Sequence, residues 1–304
     1  MNKGGGQMGE NNQMRTDLAL ESTANRAEKL AGLVVDTRQE GGAEVTWVHV
    51  LSPEAQRRLG KPQGRYWTLS HPHLPLMTPK ERMDIAGQIA QVLRILLPPE
   101  GDVLVLGLGN RRMTADALGD KVVSGMMVTR HLQQENLRGV CAVSPGVLGV
   151  TGIETAEAAL GLAEKIHPAA VIVVDSLAAM ATSRICTTVQ VTDTGIHPGS
   201  GVGNHRKAIT AETMHIPVIA IGIPLVVYAN TIVRDALTRM IASENADQAE
   251  DMADALCRSL SDDLVVTPRG IDELVQGLAD MLALAINSAL QPTLTMEDIA
   301  ACLH

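Results

Sequence analysis

Residues 103–120 read VLVLGLGNRRMTADALGD and pass from an apolar run into a glycine turn. The first four residues are all apolar, which is typical of a strand buried on both faces of a sheet. Gly107 and Gly109 follow and allow a sharp turn. Asp116 comes six residues after Asn110, on a loop expected at the carboxyl end of this strand. In open α/β sheets, functional sites are built at that end of the strands.

A second run of the same kind predicts that two carboxylates meet. Residues 170–174 are apolar and are followed by Asp175. Because the carboxyl ends of neighbouring parallel strands share one edge of a sheet, we expect Asp116 and Asp175 to lie close together. Two such acids share a proton near neutral pH, so the ionised one can deprotonate a water molecule. The alternative is that each aspartate caps the helix that follows it.

The rest of the chain predicts a single α/β domain, with a mostly parallel or mixed twisted sheet and helices on both faces. Apolar runs alternate with helical patterns throughout. Gly41 and Gly42 separate two strand patterns and indicate a hairpin. Thr78, Pro79 and Glu81 begin a helix with a capping box. Four further boundaries are predicted: a helix over 121–134, a turn over 176–182, a strand that ends at 223–224, and a helix that begins at 267–268.

Composition excludes several classes of function. The net charge of the 304 residues is 25 − 34 = −9, and there are two Trp, two Tyr and no Phe. Neither a basic surface nor aromatic rings therefore favour nucleic acid as a partner. The four cysteines form no C-x-x-C pair, which argues against a zinc ribbon or a disulfide framework. We find no signal peptide or membrane span, so we expect a cytoplasmic protein without a membrane partner.

Other catalytic motifs are incomplete. The glycine turn begins a G-x-G-x-x-G pattern, but Arg112 occupies the third glycine position, so no nucleotide cofactor is expected. There is no G-x-S-x-G nucleophile elbow, and no His/Cys cluster has metal-ligand spacing. Asp193 begins a single Asp-Thr-Gly triplet, the motif that pepsin-like proteases carry twice. Asp193, His197 and Asn110 are therefore candidate supporting residues, and we expect neither a metal nor a cofactor.

Eight segments of the chain carry the motifs of one family: 107–110, 114–119, 129–132, 145–149, 151–155, 192–204, 219–224 and 265–268. Together they resemble the germination proteases of spore-forming bacteria. The resemblance implies an endopeptidase that degrades small acid-soluble spore proteins in the spore core during germination. It also implies a homotetramer, and an α/β fold similar to the hydrogenase-maturation endopeptidases. The two essential aspartates of the family fall on Asp116 and Asp175.

The resemblance further implies a zymogen that removes its own N-terminal segment. Residues 16–21 read TDLALE and resemble the family's substrate sites, which are cut between an acid and a following apolar residue. We therefore expect a cut between Asp17 and Leu18, giving a propeptide over 1–17 and a single peptidase domain over 18–304. A flexible polar leader can enter a cleft as an extended strand.

The sequence departs from the family's pattern in two regions. Residues 111–113 read RRM where the family has a Trp- or Leu-containing segment, and the region over 237–262 is much shorter than in typical members. Two alternative functions also remain open. One is a metal-sensing maturation endopeptidase that clips one partner protein. The other is a module that binds a small molecule at the glycine loop over 195–204.

Overall fold

The computed structural model describes residues 16–23, 30–132, 134–197, 207–241, 252, 255–257 and 264–302. Within these residues, nine strands form one sheet. The strands are β1 (Leu33–Glu40), β2 (Ala43–Val50), β3 (Gly64–Ser70), β4 (Val103–Gly107), β5 (Val140–Val143), β6 (Ala170–Ala179), β7 (Thr188–Thr192), β8 (Val218–Tyr228) and β9 (Val265–Val266).

The sheet is mixed, as the sequence predicts. Its strand order is β1-β2-β3-β7-β8-β6-β4-β5, and β9 pairs with β8. The four strands β4, β5, β6 and β8 run parallel to one another. The remaining pairs are antiparallel, including the β1–β2 hairpin that turns at Gly41 and Gly42. The parallel half carries the carboxyl ends at which a site is expected.

Helices cover both faces of the sheet, so the predicted α/β architecture is confirmed. The helices in the described part of the chain are α1 (Ala19–Thr23), α2 (Pro53–Leu59), α3 (Pro79–Leu96), α4 (Leu118–Ser124), α5 (Leu148–Thr151), α6 (Thr155–Ile166), α7 (Ala211–Met214), α8 (Ala229–Ile241), α9 (Ile271–Leu290) and α10 (Met296–Cys302).

The largest core lies between the sheet and the two long helices α3 and α9. Ile89 of α3 and Leu282 of α9 are fully buried there, beside Ile172 of β6. Thr78 and Glu81 form the predicted capping box at the start of α3. Among the described residues, α9 is the one helix whose length and hydropathy would allow it to cross a membrane, yet 72% of its apolar window is buried in this core.

The opposite face of the sheet is covered in two separate patches. Ala159 of α6 packs on Leu106 and Val173 in the parallel half. Ala55 of α2 and Tyr66 of β3 pack together in the antiparallel half. Between the two patches this face of the sheet stays open, and a cavity is lined from both sides.

Two strands are longer than the sequence predicts. β6 does not end at Asp175, because β8 pairs with it as far as Ala179. β8 likewise does not end at Pro224, which lies opposite Leu177 beside a shift in register between Leu177 and Ala178. A proline is tolerated at such an irregularity because it has no N–H for the regular ladder.

Two helix predictions are wrong at their boundaries. The helix expected over 121–134 ends at Ser124. The N–H groups of Gly125 and Met126 close its last turn, and the Met127 N–H leaves the helix and donates to Asn287 Oδ1 of α9 at 2.9 Å. The helix expected from 267–268 begins only after Gly270. Thr267 does not cap it, since its hydroxyl donates to the Leu225 carbonyl at 2.9 Å and fixes the chain to β8.

Candidate active site

Asp116 lies on the turn that follows β4, and close backbone packing holds it there. The Asn110 N–H donates to Asp116 Oδ2 at 2.7 Å. Gly109 has a φ of +100°, and a Cβ at this position would lie 2.0 Å from the Asp116 carbonyl oxygen. A Cβ on Gly107 would lie 2.2 Å from the Gly119 carbonyl oxygen. The glycines therefore serve the packing of β4 on the Asp116 turn and α4.

Asp175 lies within β6, one residue beyond the point where β4 leaves the sheet. Gly107 is the register partner of Val174, and the Leu108 N–H donates to the Val174 carbonyl at 2.8 Å. The Ser176 N–H donates to Asp175 Oδ1 at 2.8 Å. The turn that carries Asp116 therefore begins directly beside Asp175.

Both aspartates line one cavity of about 800 Å³, and Asn110 and His197 line it too. The alternative that each aspartate caps the following helix fails for both. Helix α4 has Ala117 at its N-cap without a side-chain hydrogen bond, and Asp175 is followed by more strand. Their carboxylates belong to the cavity and its walls instead.

Asp193 has a different position. Its Oδ1 accepts the Arg65 N–H at 2.7 Å, and its Oδ2 accepts Arg65 Nε at 2.7 Å. It therefore joins the end of β7 to β3, next to Thr192 and Thr194, which line the cavity. Asp193 supports the wall of the site rather than facing the space inside it. Most of the glycine block that follows, residues 198–206, lies outside the described residues.

The segment predicted to be cut lies in this same cavity. Asp17 is among the lining residues, and Leu18 is fully buried against Leu177 and Ala179. The Asp17 N–H donates to the Ala178 carbonyl at 2.9 Å, and Asp17 Oδ2 accepts the Ala178 N–H at 2.8 Å. The Asp17–Leu18 peptide bond is thus held along the end of β6. Residues 1–15 of the predicted propeptide lie outside the described residues.

One further acidic side chain, Glu21, and one basic side chain, Lys61, hold the segment in place. Glu21 accepts the backbone N–H groups of Met180 and Ala181 at 2.7 and 2.8 Å, and also the hydroxyl of Thr16. Lys61 Nζ donates to the Thr16 carbonyl at 2.9 Å. Glu21 therefore anchors the segment on its C-terminal side, and Lys61 anchors it on its N-terminal side.

Burial acts on the charges in this region. It raises the pKa of the Asp17 carboxyl, while the positive charge of Lys61 and the Ala178 N–H act in the opposite direction. Burial lowers the pKa of the Lys61 ammonium, which the negative charges of Asp17 and Glu21 partly offset. Each of the two buried charges is tolerated because the other is near.

Sequence reasoning missed Lys61, Glu21 and Gln190. Gln190 is buried, and its side-chain amide contacts the segment on both sides of the Asp17–Leu18 bond. The available signal was its place in β7, where polar residues alternate with Val189 and Val191, so that one face of an otherwise apolar strand is polar. Among the residues that the structure describes, no group of three His, Cys, Asp or Glu side chains is arranged to hold a metal ion.

Comparisons of the sequence with known proteins agree on one family. The family described as "Germination protease" matches residues 10–256. The germination protease of Clostridium perfringens strain ATCC 13124 is 40% identical over 96% of this chain and 99% of its own length. That of Priestia megaterium is 31% identical over 96% of this chain and 97% of its own. The solved structure of the NiFe hydrogenase maturation protease HycI from Thermococcus kodakarensis KOD1 is similar with a TM-score of 0.34 and 16% identity, over 64% of this chain and 98% of that one.

Proposed function

The chain belongs to the germination protease family, and we propose that it acts as an aspartic-type endopeptidase whose water is activated by Asp116 and Asp175. One observation carries the proposal. Asp17 lines the same cavity as both aspartates, and Leu18 beside it is fully buried. The segment is thus bound as a substrate would be, in a site that contains two candidate catalytic carboxylates.

The chemistry follows from the sharing of one proton by two acids. The ionised carboxylate takes a proton from a water molecule, whose oxygen adds to the peptide carbonyl carbon. The protonated carboxyl group then gives its proton to the leaving nitrogen as the C–N bond breaks. The pair again holds a single proton after each cycle, so it is ready for the next substrate.

The docking of residues 16–23 in the same cavity supports a second part of the proposal, that the chain is a self-processing zymogen. In this proposal the full-length chain cuts itself between Asp17 and Leu18, which releases residues 1–17. Removal of the leader opens the cavity to other chains, and the substrates are small acid-soluble spore proteins in the spore core. These proteins are cut at sites that resemble residues 16–21. The mature enzyme assembles as a homotetramer, which sedimentation equilibrium tests directly.

The test is to map cleavage sites by mass spectrometry. The purified full-length chain is incubated alone and with a small acid-soluble spore protein. We expect one self-cleavage, between Asp17 and Leu18, and cuts in the spore protein between an acid and an apolar residue. Asp116→Asn and Asp175→Asn are expected to abolish both reactions, whereas Asp36→Asn, on the exposed strand β1, leaves both intact.

A second variant tests the position of the cut. Asp17→Trp replaces the carboxylate that accepts the Ala178 N–H with a ring that cannot accept it. We expect this variant to stay full length. Self-cleavage at the wild-type position and rate in Asp17→Trp, or undiminished cleavage by either Asp→Asn variant, contradicts the proposal.

A further inference from the structure

The side-chain amide of Gln190 spans the peptide bond that the proposed function cuts. Gln190 Nε2 donates to the Asp17 carbonyl oxygen at 3.2 Å. Gln190 Oε1 accepts the Ala19 N–H at 2.7 Å. The orientation of the amide is fixed by its partners, because only the oxygen can accept from Ala19 and only the nitrogen can donate to a carbonyl. Gln190 therefore contacts the carbonyl of the Asp17–Leu18 bond itself.

The sheet places Gln190 across from Asp175. Gln190 of β7 is the register partner of Gly222 in β8, and Gly222 is the register partner of Asp175 in β6. With neighbouring strands about 4.8 Å apart, the two backbones are separated by roughly 10 Å. Gln190 and Asp175 both line the cavity, so they face each other over Gly222.

Gly222 adds no side chain between them, and the side chain of Leu177 lies over it. A Cβ there would lie 2.7 Å from Leu177 Cγ and 2.8 Å from the Asp175 carbonyl oxygen. A side chain at position 222 would therefore displace Leu177, which packs against Leu18 of the docked segment.

We propose that Gln190 is a catalytic residue that stabilises the negative charge on the carbonyl oxygen of the scissile bond. The inference rests on the proposed function and assigns the group that polarises the carbonyl. The same contact with the Ala19 N–H fixes the chain on the far side of the cut. The protonated aspartate is then left to serve the leaving nitrogen alone.

The step balances with water as the second reactant. The ionised aspartate takes one proton from water, and the water oxygen bonds to the Asp17 carbonyl carbon. The π electron pair moves to the carbonyl oxygen, where the Gln190 N–H donates to it. As the C=O bond reforms, the C–N pair leaves with the Leu18 nitrogen, which takes the proton of the other aspartate. The products are a new carboxyl group on Asp17 and a new amino group on Leu18.

The test uses steady-state cleavage of a synthetic peptide that covers residues 10–27, measured on enzymes expressed as residues 18–304 so that no variant has to cut itself first. Gln190→Glu keeps the size of the side chain and an oxygen that accepts from the Ala19 position, but it loses the donor. We expect kcat to fall by about 10²–10³-fold with KM changed by no more than about threefold, since loss of one such donor acts on the transition state. Gln63→Glu makes the same chemical change at an exposed position and is expected to alter neither constant.

A second variant, Gln190→Met, keeps the inference testable if Gln190→Glu does not fold. Gln190→Met has similar length, suits a buried strand position and has no donor, so its kcat is expected to fall as far, with a higher KM. Wild-type kcat in a folded Gln190→Glu or Gln190→Met variant overturns the inference, as does a loss confined to KM. If Asp116→Asn and Asp175→Asn are inactive in the same assay while the Gln190 variants retain kcat, the inference alone fails. If the aspartate variants stay active, the proposed function fails.

Discussion

Replacing Gly109 with alanine is expected to move Asp116 and remove cleavage. The new Cβ would lie 2.0 Å from the Asp116 carbonyl oxygen and 2.9 Å from its Oδ1. Carbon and oxygen atoms in ordinary contact are about 3.3 Å apart or more, so the turn must open by roughly 1 Å. No change of rotamer relieves the first contact, because both of its atoms are fixed by the backbone.

The cost has two parts. A φ of +100° is strained for alanine and costs about 1–3 kcal/mol. Overpacking costs about 1–3 kcal/mol more, so we expect the free energy of unfolding to fall by roughly 2–6 kcal/mol. A displacement of about 1 Å at a catalytic group lowers kcat/KM by about 100-fold or more.

Urea unfolding and peptide cleavage measure the two effects. Gly161→Ala is the matched control, because no atom lies within 4 Å of its Cβ position on α6. The free energy of unfolding of that variant is expected to rise by up to about 1 kcal/mol, and its rate of peptide cleavage is expected to equal that of the wild type. If Gly109→Ala unfolds at the wild-type urea concentration and cleaves within about threefold of the wild-type rate, the tight turn does not position Asp116.

Three further predictions concern other parts of the molecule. Asp193→Ala removes the acceptor of Arg65 and is expected to lower the free energy of unfolding by about 1 kcal/mol while kcat/KM changes by less than about threefold; a loss of activity as large as that of Asp116→Asn would place Asp193 in the chemistry. Burial raises the pKa of Asp17 above 3.8, so docking of its segment is strongest below pH 3.8 and weakens as the pH rises through the raised value. Self-cleavage, followed by mass spectrometry from pH 8 down to pH 3.8, is therefore expected to become faster as the pH falls, and a rate that stays constant over this range counts against this reasoning. Burial also raises the pKa of Cys186 to about 11, so iodoacetamide at pH 8 is expected to alkylate the exposed Cys302 well before Cys186, and the reverse order would show that Cys186 is accessible.

Local signals in the sequence predicted much of the parallel half of the sheet. The apolar runs before Asp116 and Asp175 predicted that both residues line one cavity, and they do. A short, wholly apolar run followed by a polar residue is typical of a buried parallel strand that leads into a site. The capping box at Thr78 and Glu81 was equally readable, because all of its partners lie within four residues. Such features depend on neighbours along the chain alone.

The missed features depend on partners that are distant in sequence. The small residues after Asp175 resemble a turn until β8 is seen to pair with them as far as Ala179. Gln190 gains its role only through a segment 171 residues away, at Ala19. Lys61 lies between a helix and a strand, where an exposed lysine is ordinary, and the carbonyl that its Nζ contacts belongs to Thr16 of the docked segment. Pattern alone carries none of this information.

The most direct test of the central claim is a double-mutant comparison of kcat for the peptide over residues 10–27. The four enzymes are the wild type, Asp116→Asn, Asp175→Asn and the variant with both changes, all expressed as residues 18–304 so that none depends on self-cleavage. If the two carboxylates act as one unit on one water molecule, each single change costs about as much as both together. Losses that instead multiply, or a single variant that keeps its kcat, would show that Asp116 and Asp175 do not share the catalytic step.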